Sequence, residues 1–251
     1  MTCIVRRVVH ATVLLDFGGA HNLTDPWFSQ RPFFGYLHGE PSAVANAADL
    51  PALSGVVISH GHYDHCDLGA FAAYPDKNVP FAAVRGLADR VRAAGFGNVV
   101  ELEPWQSTHL GPVRVTAAPA KHGVPEVTFV LQADGQSVFF GADTLRIAEL
   151  DEVAQRFPEL DLALLPINGL RIRPAFNRQV VMDAVEAAGL TSVLRPRLAV
   201  PIHYAFTGGP ILDRVMLKLD RDRPDLYQQA VDDVAPDTAV HVLTPGQPLS
   251  L

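Results

Sequence analysis

The stretch VVISHGHYDHCD at 56–67 constrains the fold more than any other part of the chain, because it sets three histidines and two aspartates directly behind a short apolar run. Side chains two residues apart in an extended backbone point the same way, so His60 and His62 can reach one cation together. Asp64 and His65 follow where the chain turns towards a helix, and their side chains can reach a second cation position nearby. A polar loop would explain one histidine, but this cluster is more typical of a metal site.

Four ligands do not complete two metal sites, so the remaining ligands have to come from elsewhere in the chain. Three candidates lie just past the end of an apolar strand pattern: His122 in APAKHG, Asp143 in FFGADT and His203 in VPIHY. Ligands at strand ends are held rigidly and face one rim of a sheet. The other histidines lack this context, although His10 opens a predicted strand and is harder to dismiss.

Strand and helix patterns alternate at both ends of the chain, and a run of predicted β-hairpins lies between them from about residue 98. Many strands with helices spread through the chain favour two packed sheets covered by helices over a simple doubly wound sheet. The predicted helices are 43–53, 68–74, 86–95, 146–156, 178–189 with Gly189 as its stop, and 223–234. The last predicted strand is AVHVLTPG at 239–246.

Charge and composition exclude several classes of function. The net charge of −7 argues against a broad electrostatic grip on nucleic acid or an anionic membrane, although it leaves room for a local basic patch. The two cysteines cannot form a disulfide framework, which favours a cytoplasmic protein. We find no signal-peptide pattern. No segment approaches the roughly 20 apolar residues of a membrane-spanning helix.

The ordered set of candidate ligands resembles that of the metallo-β-lactamase-fold hydrolases: H-x-H-x-D-H at 60–65, then His122, Asp143 and His203. The resemblance covers nearly the whole chain and implies a single domain over 1–251. The fold that it implies is an α/β fold of four layers. This αββα sandwich has two sheets inside, helices on both outer faces and the metals at one edge, in agreement with the predicted strands and helices.

Further segments are similar to one branch of that superfamily. They are LTDP at 23–26, GADT at 141–144, and LPING at 165–169 before VPIHY at 200–204. The branch contains the L-ascorbate-6-phosphate lactonase-like proteins and the N-acylphosphatidylethanolamine phospholipase D-like proteins. The metal motifs are specific to the superfamily and not to a substrate.

The resemblance implies two metal sites that share a bridging carboxylate. Its ligands, carried over position by position, are His60, His62 and His122 for the first ion, Asp64, His65 and His203 for the second, and Asp143 between them. These nitrogen and oxygen donors suit Zn²⁺, our first choice, and also Mn²⁺ or Fe. Two divalent ions about 3.5–4 Å apart can share a water and lower its pKa to about 7, so the implied nucleophile is a hydroxide that bridges them. Asp64 and Asp143 are the predicted catalytic residues.

An outer partner for the metal ligands is also expected, because a ligating imidazole needs an acceptor for its other N–H. Asp25, at a strand end in LTDP, is the candidate, and a turn carboxylate that caps backbone N–H groups before Pro26 is an equally good interpretation. Cys66 directly follows His65, and we expect it to be a small buried helix residue.

The segment NGLRIRPAFNRQ at 168–179 follows a predicted strand, and in the lactonase-like branch the corresponding segment approaches the active site. Its three arginines could hold a phosphate or carboxylate, while a solvated loop with salt bridges is the alternative. A tyrosine after the last ligand could donate to a developing oxyanion, or it could simply be packed. The predicted substrate-binding residues are Asn168, Arg171, Arg173, Asn177, Arg178 and Tyr204.

We therefore predict a metal-dependent hydrolase that cleaves a small-molecule lactone, ester or phosphodiester, with an anionic substrate in view of the arginines. One alternative is an RNase Z-like phosphodiesterase or nuclease, which the acidic balance disfavours. Others are an oxidoreductase of the same fold, and a regulatory metal-binding protein that does not hydrolyse anything. Association into a homo-oligomer is left open.

Overall fold

The computed structural model describes residues 3–218 and 223–251 and contains two seven-stranded sheets that share a buried core. The strands are, in chain order, β1 (Cys3–Val9), β2 (Thr12–Phe17), β3 (Ala20–Thr24), β4 (Leu37–His38), β5 (Leu53–Ile58), β6 (Phe81–Val84), β7 (Val99–Leu102), β8 (Ser107–Leu110), β9 (Val113–Pro119), β10 (Val127–Ala133), β11 (Gln136–Phe140), β12 (Leu162–Pro166), β13 (Arg171–Ile172), β14 (Arg178–Gln179), β15 (Leu198–Ile202), β16 (Phe206–Thr207), β17 (Leu217–Lys218), β18 (Ala239–Val240) and β19 (Pro248–Ser250).

The helices are α1 (Leu68–Phe71), α2 (Ala88–Ala93), α3 (Asp151–Arg156), α4 (Ala184–Leu194), α5 (Gly209–Val215) and α6 (Pro224–Val234). Single turns of 3-10 helix lie at Ala47–Asp49, Ala148–Leu150 and Arg173–Ala175. In the described parts of the chain, no helix is both long enough and apolar enough to cross a membrane.

The two sheets have the orders β19-β1-β2-β3-β5-β6-β7 and β18-β15-β12-β11-β10-β9-β8. Each sheet has an antiparallel part made by short connections and a parallel part made by crossovers. In the first sheet the β2–β3 hairpin turns at Gly18 and Gly19, whose φ angles of 64° and 100° are ones that glycine adopts at no steric cost. The inward faces of the two sheets form a common core that includes Val56 and Phe129.

Helices cover the outer faces of both sheets. On the second sheet, apolar residues of α4 such as Leu190 pack with Phe139 and Leu165 of the strands below. On the first sheet, Phe71 of α1 and Val91 of α2 are buried in the core. The predicted four-layer αββα sandwich is therefore confirmed.

Three of the predicted elements are wrong in their limits. The helix predicted at 178–189 starts at Ala184 instead, because Asp183 caps it in a reciprocal pair with Glu186, a stronger start signal than the apolar run before it. The helix continues through Gly189 to Leu194. The helix predicted at 43–53 is one 3-10 turn, and the strand predicted at 239–246 pairs only through β18.

A smaller assembly lies over the edge of the sandwich that carries the candidate metal ligands, and we call it the cap. It consists of 33–38, 170–180 and 206–218, which contain the sheet β14-β13-β17, the pair β16-β4 and helix α5. Its own apolar cluster includes Tyr36 and Phe206, whose rings stack 5.0 Å apart.

Replacing the N-cap of α4 tests the corrected helix start. The Asp183 carboxylate accepts hydrogen bonds from the backbone N–H groups of Val185 and Glu186. We expect Asp183→Ala to lower the free energy of unfolding by about 1 kcal/mol, which would lower Tm by about 2–4 °C. Asp232→Ala, at an exposed position of α6, is the control. Equal Tm values for both variants would contradict the N-cap role of Asp183.

Candidate metal centre

The candidate ligands come together because the strands that precede them run in one direction. In the first sheet β3 and β5 are parallel, and β1 runs with them because β2 is antiparallel to both of its neighbours. In the second sheet β9 has the direction of β11, since β10 is antiparallel to both, and β12 and β15 continue this parallel set. The carboxyl ends of these strands therefore meet at one edge of the sandwich.

The first cluster gathers His60 after β5, His62 two residues later, and His122 after β9. The Nδ1 atom of His62 lies 2.9 Å from Nε2 of His60 and 3.2 Å from Nε2 of His122. Oδ2 of Asp143 lies 3.9 Å from Nε2 of both His60 and His122. Ligand atoms around a tetrahedral Zn²⁺ are about 3.3 Å apart when the metal–nitrogen bonds are about 2.0–2.1 Å. These four atoms fit one ion.

The second cluster gathers Asp64, His65 and His203 around the other oxygen of Asp143. Oδ1 of Asp143 lies 2.9 Å from Nε2 of His203 and 3.2 Å from Nε2 of His65. Oδ2 of Asp64 lies 3.7 Å from Nε2 of His65 and 3.9 Å from Nε2 of His203. The Asp143 carboxylate thus divides its oxygens between the clusters, as a bridging ligand does.

Three of the atoms that face the second cluster are buried without a hydrogen-bond partner in the described chain. They are Nε2 of His65, Oδ1 of Asp143 and Nε2 of His203. Buried polar atoms in native proteins are nearly always paired. A divalent metal ion between these nitrogen and oxygen atoms would pair them, so the donor set fits a bound ion chemically and geometrically.

Outer partners lie beside Nδ1 of two of the imidazoles. Nδ1 of His65 lies 2.7 Å from Oδ2 of Asp25, and Asp25 also accepts hydrogen bonds from the backbone N–H and the hydroxyl of Ser59. Nδ1 of His122 lies 2.8 Å from the carbonyl oxygen of Val180. In each case the Nδ1 hydrogen is used outward, so the lone pair of Nε2 faces the cluster. The outer-partner role of Asp25 stays a prediction, and the geometry supports it.

Glu126 is an outer partner that the sequence reasoning missed. Its Oε1 atom accepts a hydrogen bond of 2.8 Å from the backbone N–H of Asp143 and lies 3.3 Å from Nδ1 of His60. Burial and the nearby Asp143 carboxylate raise the pKa of Glu126 to about 8. A glutamate directly before the apolar strand β10 was the only local signal.

Burial also keeps several imidazoles in the neutral form that binds metals. It lowers the pKa of His10, His60 and His62 to about 3. For His65 burial acts in the same direction, but the carboxylates of Asp143 and Asp64 outweigh it and raise its pKa well above the ordinary value. A ligating histidine must be deprotonated, so metal binding at the second cluster would be coupled to proton release.

Left-handed backbone conformations concentrate at this edge. The φ angles of His10, Asp25, Ala142 and His203 are 53°, 35°, 46° and 54°. Such angles are uncommon for residues other than glycine, and they occur at sites where the surrounding structure fixes a functional side chain. His10 ends up in the turn after β1, so the expectation that it opens a strand is wrong.

A cavity of about 360 Å³ lies above the clusters and beneath the cap. Side chains of His62, Asp64, His122 and Asp143 form its floor. Its walls are apolar and come mainly from the cap, with Phe33, Phe34, Leu170, Ile172, Met216 and Leu217 among them. The apolar walls and the polar floor make this cavity the candidate substrate site.

The predicted substrate-binding residues lie outside the described lining of this cavity. Arg171 and Arg178 belong to the small cap sheet, and Nε of Arg173 donates to the carbonyl oxygen of Leu217 over 3.3 Å. Asn177 is exposed. The solvated-loop alternative describes this segment better, and a substrate contact stays a prediction.

The remaining two predicted residues are buried. Oδ1 of Asn168 accepts a hydrogen bond of 3.1 Å from the backbone N–H of Leu170. Tyr204 is packed in the core of the second sheet, with the guanidinium carbon of Arg7 4.7 Å from its ring centroid. Cys66 is a buried free thiol, as expected, but it lies two residues before helix α1 and not in a helix, so that part of the expectation is wrong.

Comparison with known proteins identifies relatives over the whole length. The family described as a beta-lactamase superfamily domain matches residues 22–204. A UPF0173 metal-dependent hydrolase from Deinococcus radiodurans is 29% identical over 225 residues, covering 84% of this chain and 89% of that protein.

Solved structures share the fold. Igni18, described as a novel metallo hydrolase from Ignicoccus hospitalis, has a TM-score of 0.72 and 21% identity and covers 100% of this chain and 99% of that chain. CmlA, a diiron β-hydroxylase from Streptomyces venezuelae, has a TM-score of 0.76 and 19% identity and covers 99% of this chain and 54% of that chain. Proteins of different reaction types therefore share this fold.

Metal removal tests whether the clusters bind ions. We expect the protein purified without chelator to lose stability when EDTA is added, because the paired donor atoms become unpaired again. With free metal at about 100 times Kd the difference is about 2.7 kcal/mol, or a Tm shift of about 5–10 °C. Scanning calorimetry with and without restored Zn²⁺ or Mn²⁺ measures it. Identical Tm values throughout would contradict a metal site.

The role of Asp25 can be tested separately. Asn tolerates the left-handed backbone, but its amide has only one oxygen that can accept a hydrogen bond. We therefore expect Asp25→Asn to weaken metal binding about 10–100-fold. Asp16→Asn is the matched control, since Asp16 lies 3.6 Å from a histidine outside the clusters, His21. Competition with a chromophoric chelator gives both affinities, and an unchanged affinity in Asp25→Asn would refute the outer-partner role.

Proposed function

The chain belongs to the beta-lactamase superfamily domain family, and on that premise we propose that it is a metal-dependent hydrolase of small, largely apolar esters or lactones. The observation that carries this proposal is the composition of one cavity. Two converging sets of metal donors form its floor, and aromatic and aliphatic side chains form its walls. The similarity to a protein named a metal-dependent hydrolase supports the same conclusion.

The walls favour a neutral substrate over a phosphodiester. None of the described residues that line the cavity is a lysine or an arginine. Moving an ionised phosphate from water into apolar surroundings is costly unless a cation pairs with it, and bound metals would offset this only at the floor. A neutral ester or lactone carries no such cost, and its apolar part gains from burial against Phe33 and Leu170.

The residues of the floor divide the chemical work. When bound, the metal ions supply Lewis acidity and lower the pKa of a water molecule. Asp143 fixes the two donor clusters relative to each other through its two oxygens. Asp64 lines the cavity, and its buried Oδ1 atom has no hydrogen-bond partner in the described chain. In our proposal this oxygen accepts a hydrogen bond from the attacking water and orients it.

The cap limits access of bulk water to that floor. Phe33 contacts the ring of His62 at 5.2 Å between centroids, and Met216 and Leu217 also line the cavity. Excluding water strengthens each electrostatic interaction at the floor. The arginines of the cap stay outside the lining, where they would meet only those parts of a substrate that protrude from the cavity.

The cavity also weighs against the nuclease alternative. A nuclease holds a polyanion along an extended cationic surface, whereas this site is a cavity of about 360 Å³ with apolar walls. For the oxidoreductase alternative, no contact within 3–218 and 223–251 favours oxidation over hydrolysis.

A series of esters tests the proposed substrate class. We expect the metal-loaded protein to cleave p-nitrophenyl acetate, butyrate and hexanoate with rising kcat/KM, up to about fourfold per methylene, from about 0.8 kcal/mol per buried CH₂. The variant Leu170→Asn should flatten this series. Val185→Asn, at an exposed position of α4, should leave it unchanged.

Two outcomes would overturn the assignment. One is a metal-loaded protein that hydrolyses neither esters nor aliphatic lactones. The other is faster cleavage of bis(p-nitrophenyl) phosphate than of every ester in the series. Loss of ester hydrolysis in Asp143→Ala, measured alongside, ties the activity to the floor of the cavity and not to a contaminating esterase.

A further inference from the structure

His10 lies at the metal edge although no part of the ligand pattern includes it. The residue follows β1, and β1 runs in the direction of β3 and β5. Its side chain is therefore delivered to the same edge as the candidate ligands by the same strand geometry. We propose that Nε2 of His10 is a fifth protein ligand of the second ion, an inference that rests on the metal dependence proposed above.

Distances place His10 inside the second cluster. Its Nε2 atom lies 3.5 Å from Oδ2 of Asp64, and its ring centroid lies 4.1 Å from that of His203. One donor atom from each of His10, Asp64, His65 and His203 lies within 4.8 Å of all the others. Bonds of about 2.1 Å allow donor atoms around one ion to be at most about 4.2 Å apart across it and closer elsewhere, so modest adjustment brings all four to one cation.

The burial of His10 leaves its nitrogens without another role. The residue is 1% exposed, and neither ring nitrogen has a hydrogen-bond partner in the described chain. The separation of 3.5 Å from Asp64 is at the outer limit of a hydrogen bond and is not accompanied by suitable geometry. An imidazole buried in this way costs free energy unless something pairs with it. A cation at the second cluster would pair with Nε2.

The ring of His10 is held in position by its neighbours. It packs edge-on against Trp27, with centroids 5.1 Å apart, and stacks on Phe206 at 5.4 Å. The left-handed φ of 53° fixes the direction in which the side chain leaves the turn. Such constraint at a strained residue is typical of a functional side chain.

A fifth ligand makes the two metal positions unequal. The first would have three histidines and one Asp143 oxygen, and the second would have His10, Asp64, His65, His203 and the other oxygen. Two of the three histidines of the first cluster, His62 and His122, line the cavity. The second ion would accordingly bind more tightly, and the first would face the substrate.

Metal titration of the apoprotein tests this proposal. The wild type should bind two Co²⁺ or Zn²⁺ ions with distinct affinities. His10→Asn keeps a residue that tolerates positive φ but cannot reach the cluster. Because loss of an outer partner costs about 10–100-fold, loss of a ligand should weaken the tighter site by more than about 100-fold. His10→Gln, whose amide oxygen can approach the position of Nε2, should recover part of this loss.

The control variant is His38→Asn. His38 packs against the same indole, 4.8 Å from Trp27 between centroids, but lies outside the metal clusters. We expect it to leave both affinities unchanged. The visible spectrum of bound Co²⁺ provides a second readout, since its absorption strengthens when the coordination number falls, and it should strengthen in His10→Asn.

Folding is checked on the metal-free proteins. Apo His10→Asn should unfold cooperatively like apo wild type, with a Tm lowered only by the lost packing of the ring on Trp27 and Phe206. Affinities within about tenfold of the wild type, or an equal loss in His38→Asn, would overturn the ligand role of His10. A wild-type apoprotein that binds no metal would instead overturn the proposed function, so the two failures are distinguishable.

Discussion

The carboxylate of Asp143 is the point on which the arrangement of the site depends. One oxygen faces the imidazoles of the first cluster and the other faces those of the second. Its backbone N–H is held by the buried Glu126, and the preceding Ala142 adopts a left-handed conformation. Because the surrounding ligands follow strands of both sheets, the packing of the sheets and the spacing of the clusters form a single constraint.

That constraint is costly for the metal-free protein. The edge collects buried polar atoms that have no partner among the described residues, and backbone angles that few residues adopt. Networks of this kind are stabilising only when every member is satisfied. The rest of the sandwich, with its large continuous core, supplies the stability that allows such an edge to persist. The carboxylate of Asp25, which accepts from the Ser59 hydroxyl, lies 2.7 Å from Nδ1 of His65, a contact that favours one orientation of this ring.

The sequence was informative where a feature is local or lies at the end of a strand. The spacing of His60, His62 and His65 follows from the local backbone conformation alone. The structure brings all seven predicted metal ligands together. The fold was predictable from the distribution of strands and helices. Glu126 offered no comparable pattern, because its importance comes from the Asp143 backbone 17 positions away. The direction of the arginine side chains was likewise unpredictable, since it depends on pairing between β13 and β17 across distant parts of the chain.

The floor and the walls of the cavity come from separate parts of the architecture. The floor is built from the ends of core strands, whereas the walls come mainly from cap segments that pair among themselves through short strands. Substitutions at Ile172 or Met216 can therefore accumulate without moving a metal ligand. Gene duplication followed by drift in the cap would yield paralogues that differ in the molecules they accept and retain the same reactive centre. In such a lineage, selectivity diverges quickly while chemistry stays fixed.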